Sequence, residues 1–398
     1  MNGTADDKYR GLFAYGWDIA EMDDDRFVDE AHRLGLNTIT YAAAYHAGKF
    51  TRPKGVHGKI FFPEDGRTHF RSDASRYEAI KPETSGFAAG NDLFERLCAR
   101  SDVAVSAWTV LLHNSFLGAK HPDCVVENAF GDRYVYSLCP SNPAVRAYAR
   151  NLCCDVANSH DVEGLTLETP GFLPFRHGYH HEFALLGSMP GTEMLLGLCF
   201  CEHCENRAKF AGIDVAGLRG RVKKHVAGAM DAAYEPHPAT NRAWVEADLV
   251  LDADLAAYHR MRCEAVTSLV GEIREAVRKD ASIHIIPSVN QPVGLCYLEG
   301  SDLAALSKVA DGLEVCFYTP PAETALTELS EIRARTGDDV SIRAVLRPGV
   351  PDYASEGGFA ATVAALENAG VSGFGFYNYG HVRASGLEWV GRAMHGLK

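Results

Sequence analysis

The chain has 398 residues, of which 46% are hydrophobic, and carries a formal net charge of −13 at pH 7. This acidic balance argues against nucleic acid and anionic membrane surfaces as partners, because both select proteins with basic faces. No stretch approaches the roughly 18 consecutive apolar residues of a membrane span, and the amino terminus lacks the basic and apolar regions of a signal peptide, so we expect a soluble protein.

Short apolar runs alternate with amphipathic stretches along the whole chain. The predicted strands cover residues 12–17, 37–43, 103–111, 164–167, 282–289, 312–318, 341–346 and 373–377. The predicted helices cover residues 24–34, 92–100, 143–159, 254–279, 301–309, 324–336, 358–368 and 387–397. Eight strand–helix alternations are typical of a closed (β/α)8 TIM barrel of the α/β class. No Gly-x-Gly-x-x-Gly follows the first strand, so we expect no organic cofactor.

Two segments are longer than ordinary barrel loops. Residues 44–91, after strand two, are expected to carry a small hairpin that turns at residues 64–66. Residues 169–252, after strand four, hold a cysteine-rich loop and at least one extra helix. We therefore expect residues 1–398 to form a single barrel domain with two insertions, both on the catalytic face.

Three cysteines fall within six residues, at Cys199, Cys201 and Cys204. This spacing suits three corners of a tetrahedral zinc site, for which Cys139 is the best-placed fourth ligand. Four thiolates close the coordination sphere, so we expect a structural zinc; the alternative is a group of buried apolar cysteines. The total of eleven cysteines is odd and favours reduced thiols over a disulfide framework, which indicates a cytoplasmic protein.

Two motifs resemble the glycoside hydrolase family 42 β-galactosidases. One is the segment 136–146, where Cys139 precedes a Pro-x-x-Pro helix start, and the other is the cysteine loop 199–204; Glu168 ends the strand between them. The resemblance implies a barrel glycosidase with a four-cysteine zinc, Glu168 as general acid/base and a homo-oligomer. In that family an asparagine precedes the acid/base, whereas this chain has Leu167. The resemblance thus points to a relative within the same broad clan and not to a β-galactosidase.

Polar and aromatic side chains at the carboxyl ends of the strands would form the site of such a barrel. A sugar ring needs aromatic faces for its C–H groups, and amides, imidazoles or carboxylates for its hydroxyls. The residues expected to contact a small carbohydrate are Tyr45, His46, Trp108, His113, Asn114, His180, His181, Tyr318, Arg347, Asn378 and Tyr379.

Glu168 is the predicted general acid/base, because a carboxyl at a partly desolvated barrel mouth can hold a raised pKa and protonate a glycosidic oxygen. The alternative is a carboxylate that only binds sugar hydroxyls. A histidine-rich segment with His177, His180, His181 and Glu182 also suits a catalytic metal ion, although such a segment can equally bind sugar hydroxyls.

The second carboxylate of a glycosidase is harder to assign. The clan places it at the end of strand seven, where this chain has Arg347. Glu314 is expected to point into the barrel below the mouth and to pair with Arg343. Asp18 and Glu182 therefore remain as candidates. A metal-dependent sugar isomerase or epimerase, and a carbohydrate-binding barrel without catalysis, are the alternative functions.

Overall fold

The computed structural model describes residues 8–177, 179, 185–235, 237–318 and 320–397. Eight parallel strands form the barrel: Tyr9–Ala14, Thr38–Tyr45, Ala104–Val110, Gly164–Glu168, Ser282–Ile285, Gly312–Cys316, Ser341–Leu346 and Gly373–Phe376. Each strand pairs with the next in the chain, and strand eight pairs with strand one, so the sheet closes. The predicted (β/α)8 barrel is confirmed.

Helices surround the barrel and fill its insertions. They span Gly16–Met22, Asp24–Arg33, Gly86–Ala89, Leu93–Cys98, Ser115–Lys120, Pro143–Ser159, Pro190–Leu196, Glu202–Phe210, Val215–Met230, Pro238–Leu251, Ala253–Ala276, Leu303–Leu306, Ala322–Thr336, Glu356–Asn368 and Ala384–Gly396. Short 3-10 helices cover Ala74–Arg76 and Val293–Glu299. Across the described ranges, no helix combines the length and the apolar character needed to cross a membrane.

Strand one ends earlier than the sequence predicts. The apolar run reaches Trp17, but Gly16 and Trp17 already belong to the helix Gly16–Met22. Trp17 is buried because its ring stacks on that of Tyr15, with centroids 4.6 Å apart, in an aromatic cluster at the mouth. An apolar run therefore indicates here that the residues are buried, but not that they belong to a β-strand.

The predicted hairpin around residues 64–66 is wrong. Phe50–Thr51 pairs with Ile60–Phe61 in an antiparallel ribbon, whereas Arg67–Thr68 pairs with the end of barrel strand two. Gly66 does take the left-handed conformation expected of the turn, with φ of 62°. The turn thus connects two different sheets, because the strand before it pairs with Phe50–Thr51 and the strand after it pairs with barrel strand two.

The interior of the barrel contains the expected charged pair. Glu314 and Arg343 face each other across strands six and seven, with Oε2 and Nη1 3.8 Å apart. Glu314 also accepts hydrogen bonds from the hydroxyls of Tyr9 at 2.9 Å and Thr166 at 2.8 Å. Its side chain is fully buried and fully engaged, so Glu314 is a structural residue.

The insertion after strand four has its own apolar cluster. Leu198, Phe200 and Leu218 are among its buried members and pack against Tyr258 on the helix Ala253–Ala276. This packing holds the cysteine loop against the outside of the barrel.

Candidate functional site

The four predicted cysteines form one buried cluster. The Sγ atom of Cys139 lies 3.5 Å from that of Cys204, 3.6 Å from that of Cys201 and 3.8 Å from that of Cys199. Four thiolates held about 2.3 Å from one ion lie about 3.8 Å apart, which matches these separations. A disulfide would need sulfurs about 2 Å apart. The donors therefore fit a closed tetrahedral metal centre.

Local structure positions these thiols. Cys139 precedes the helix Pro143–Ser159, whose first turn is capped by Asn142, and the helix Glu202–Phe210 begins directly after Cys201. Tyr258 donates a hydrogen bond from its hydroxyl to the carbonyl oxygen of Cys199. The backbone of the cysteine loop is thus fixed from two sides.

A buried cation lies next to the cysteine cluster. Arg262 is 1% exposed and donates hydrogen bonds to the carbonyl oxygens of Gly197 at 3.3 Å and Leu298 at 2.8 Å. Burial lowers its pKa, and the negative charges of nearby thiolates, including Cys204 and Cys199, oppose that effect. Four thiolates around a divalent ion would carry a net charge of about −2, and the guanidinium of Arg262 would partly offset it.

At the mouth of the barrel, Glu168 ends strand four and is half-buried. The indole Nε1 of Trp108 donates a hydrogen bond to its Oε2 at 2.7 Å. Burial raises the pKa of Glu168 to about 7, although the bond from Trp108 lowers it. A carboxyl of this pKa holds its proton in about half of the molecules at neutral pH, as a general acid requires.

Aromatic rings form the wall around Glu168. The charge of Glu168 contributes to the raised pKa of Tyr45, Tyr318 and Tyr377, after burial as the main cause. Tyr45 packs edge-on against Trp108, with ring centroids 4.7 Å apart, and its hydroxyl lies 3.4 Å from that of Tyr377. The sequence suggested that Tyr377 fills the core of the barrel, and it was not among the expected ligand contacts. These rings and hydroxyls match the chemistry of a sugar.

Three imidazoles continue the wall. His46 stacks on His113 with ring centroids 4.2 Å apart, and His113 meets His177 edge-on at 5.6 Å. Burial lowers the pKa of His177, which keeps its ring neutral at pH 7. The structure thus brings His46 and His113 together, and their predicted role as sugar contacts stays a prediction. The remaining histidine candidates, His180 and His181, and the acidic candidate Glu182 lie outside the described residues.

Three other predicted ligand contacts have capping or packing roles. Asn114 accepts a hydrogen bond from the backbone N–H of Leu117 at 2.8 Å and so caps a short helix. Asn378 is fully buried and accepts from the N–H of Gly380 at 2.8 Å. Tyr379 packs edge-on against Phe27, with centroids 4.8 Å apart. Asn114 and Tyr379 thus have partners within the fold, whereas the buried Nδ2 of Asn378 has none among the described residues.

Arg347 occupies the rim of the mouth. Its guanidinium lies over the ring of Tyr318, 4.3 Å from the centroid, and its Nε donates to Asp352 at 2.5 Å. The end of strand seven therefore carries an ion pair where the clan places a catalytic carboxylate.

Asp18 forms a buried ion pair. It is 4% exposed, and Arg52 donates from Nε to its Oδ1 at 2.6 Å. Burial raises the pKa of Asp18, and the charge of Arg52 opposes that rise. Arg52 also contacts Glu21 at 2.8 Å. The pair ties the ribbon after strand two to the helix Gly16–Met22.

Glu299 is a second buried carboxyl near Glu168 that sequence analysis missed. It accepts hydrogen bonds from the hydroxyl of Ser288 at 2.5 Å, the N–H of Val289 at 3.1 Å and the amide of Asn290 at 3.3 Å. Burial raises its pKa to about 8, and the charge of Glu168 contributes to the rise. The one hint in the sequence is an acidic residue that directly follows a mostly apolar stretch, 293–298.

Comparison with known proteins identifies solved structures of similar fold. No family model matches the chain, and no curated protein matches it. Its structure is similar to the glycoside hydrolase domain of PgaB (BpsB) from Bordetella bronchiseptica, with 16% identity and a TM-score of 0.58 over 98% of this chain and 99% of that chain. The chain shares the barrel fold of a glycoside hydrolase.

A second similar structure is the alpha-L-fucosidase isoenzyme 2 from Paenibacillus thiaminolyticus. The identity is 12% and the TM-score 0.51, over 98% of this chain and 49% of that chain. At these identities the similarity establishes a common fold, and the particular resemblance to family 42 stays a prediction.

Proposed function

We propose that the protein is a glycoside hydrolase that acts on a small carbohydrate substrate, with Glu168 as general acid/base. The observation that carries the proposal is the half-buried carboxyl of Glu168 at the end of strand four, hydrogen-bonded to Trp108 and with a pKa of about 7. In the reaction the bond between the anomeric carbon and the glycosidic oxygen breaks. The leaving oxygen takes the proton of Glu168, and water supplies the hydroxyl at the anomeric carbon. The proton that the water loses is taken by Glu168, now a carboxylate, or by the second carboxylate, from which it returns to Glu168 through solvent.

The aromatic wall supports a sugar as the ligand. Tyr318 and Tyr377 are half-buried and can offer ring faces and hydroxyls near Glu168, whereas Tyr45 and Trp108 are 5% and 1% exposed and support them from within the aromatic cluster. His46, stacked on Tyr45, extends the hydrogen-bonding surface. Such a combination holds both the C–H faces and the hydroxyls of a sugar ring.

Asp18 and Glu182 are the candidates for the second carboxylate. Arg52 binds Oδ1 of Asp18, whereas its Oδ2 has no hydrogen-bond partner among the described residues. Glu299 is 4% exposed and accepts hydrogen bonds from Ser288, Val289 and Asn290. The ion pair of Arg347 at the end of strand seven favours one alternative, a carbohydrate-binding barrel that does not hydrolyse its ligand.

The test uses a panel of 4-nitrophenyl glycosides with the wild-type protein and Glu168→Gln. We expect kcat to fall by about 10²–10⁴-fold in the variant, and less for substrates with better leaving groups. The exposed Glu78→Gln is the matched control. A variant that changes mainly KM would reduce Glu168 to a hydroxyl ligand. Ligand binding without turnover in the wild type would identify the protein as a carbohydrate-binding barrel. Isomerisation of free sugars that a chelator abolishes would identify it as a metal-dependent isomerase.

The cysteine cluster supports a further part of the proposal, a structural zinc held by Cys139, Cys199, Cys201 and Cys204. Zinc in a closed tetrathiolate site stabilises the fold and leaves no open position for a substrate. We assign it no step of the reaction.

Domain organisation, assembly and location complete the proposal. We propose one barrel domain that forms a cytoplasmic homo-oligomer through the insertion after strand four. In that insertion, Trp244 is 65% and Leu251 80% exposed on the helix Pro238–Leu251. Large apolar side chains exposed together are typical of contact surfaces.

A further inference from the structure

A groove of about 390 Å³ opens beside the barrel mouth. Its walls are the loop after strand four, the helices Pro190–Leu196 and Pro238–Leu251, and the segment Val293–Glu299. The lining is largely apolar, with Phe175, Met194, Val245, Leu249, Leu295 and Leu298.

The groove has the size and composition of a small-molecule site. Pockets of roughly 300–1,000 Å³ with an apolar lining and a few polar groups are typical of such sites. The polar groups here include Asn290, the exposed Arg242 and Glu246, and the ion pair of Arg176 and Glu193, whose Nε and Oε2 are 2.5 Å apart. Aliphatic side chains offer no hydrogen bonds, so sugar hydroxyls desolvated against them would stay unsatisfied. The lining therefore suits an apolar group better than a sugar.

The position of the groove connects it to the candidate active site. Asn290 lines the groove and donates its amide to Oε1 of Glu299 at 3.3 Å. The backbone carbonyl of Glu299 accepts a hydrogen bond from Phe172, in the loop that follows Glu168, at 2.9 Å. The groove is thus built from the loops that follow strands four and five, and the first of these loops begins directly after Glu168.

We propose that this groove binds an apolar aglycone, so that the substrate is a glycoside of an aryl or alkyl alcohol and not an oligosaccharide. The inference rests on the proposed glycosidase function for its biological meaning, whereas binding in the groove does not require catalysis. The sugar would contact the aromatic wall at the mouth, and the leaving alcohol would extend along the apolar lining.

The test is a fluorescence titration with 4-methylumbelliferone, a free aryl aglycone, against the wild-type protein and two variants from opposite walls, Leu249→Asn and Leu295→Asn. Both side chains are half-buried, and both variants are checked for cooperative thermal unfolding. We expect each to weaken binding by about tenfold, since even a single methylene in an apolar pocket is worth that much. The control is Leu326→Asn, a half-buried leucine that lines a different cavity, on the helix Ala322–Thr336.

The outcomes separate the two proposals. Absence of 4-methylumbelliferone binding, or equal weakening in Leu326→Asn and the groove variants, overturns the aglycone site even if aryl glycosides are hydrolysed. Binding that depends on Leu249 and Leu295, without hydrolysis of any glycoside, supports the groove as a site and refutes the glycosidase.

Discussion

The raised pKa of Glu168 predicts that its carboxyl destabilises the folded protein above neutral pH. Burial moves this pKa from the ordinary value of 4.5 to about 7. Between these values the unfolded chain has released the proton while the folded chain keeps it, so the free energy of unfolding falls as pH rises. At about 1.4 kcal/mol for each pH unit, over an interval of about 2.5 units, the loss reaches about 3 kcal/mol above pH 7 and disappears below pH 4.5.

Glu168→Gln tests this cost directly. The amide keeps the shape of the side chain and an acceptor for the Nε1 of Trp108, but it cannot ionise. We expect the variant to be more stable than the wild type by about 3 kcal/mol at pH 8 and by about 1 kcal/mol at pH 5.

The assay is urea unfolding at both pH values, with the exposed Glu78→Gln as control for the loss of a surface charge. The control should change stability little and equally at both values. The reasoning would be refuted if Glu168→Gln changed the free energy of unfolding by the same amount at pH 5 and pH 8, or if the variant were less stable than the wild type at pH 8. Glu168 would then ionise in the fold without cost, and its role as a proton donor at neutral pH would lose its main support.

Three further predictions concern other parts of the molecule. Elemental analysis should find one zinc per chain. Cys201→Ser should lower the free energy of unfolding, while the fraction that still folds keeps most of its activity. Cys154→Ser, outside the cluster, is the control, and an equal loss of stability in the two variants would contradict the metal assignment. Asp18→Asn should lower the free energy of unfolding by about 1–3 kcal/mol in urea titrations, because Arg52 keeps only Glu21 as a charged partner. Loss of kcat at unchanged stability would instead identify Asp18 as catalytic. Light scattering at micromolar concentration should show a homo-oligomer, and a clean monomer would remove that proposal.

Local pattern was sufficient for the barrel and for most of the cysteine cluster. Each strand and helix leaves its own periodicity over a few consecutive residues, and all eight barrel strands were predictable for that reason. Cys199, Cys201 and Cys204 are close in the chain and therefore close in space. Cys139 lies 60 residues before Cys199 and needed a separate motif to be linked to them.

Contacts between distant residues were decided by the folded chain. The pairing of Phe50–Thr51 with Ile60–Phe61, the ion pair of Asp18 with Arg52, and the position of Glu299 beside Glu168 depend on how loops cross the barrel mouth. Periodicity carries no information about these paths, because a loop has no repeating face to bury. The raised pKa of Glu168 has the same origin. Its main cause is the exclusion of water from the carboxyl by side chains that different strands bring together only when the barrel closes.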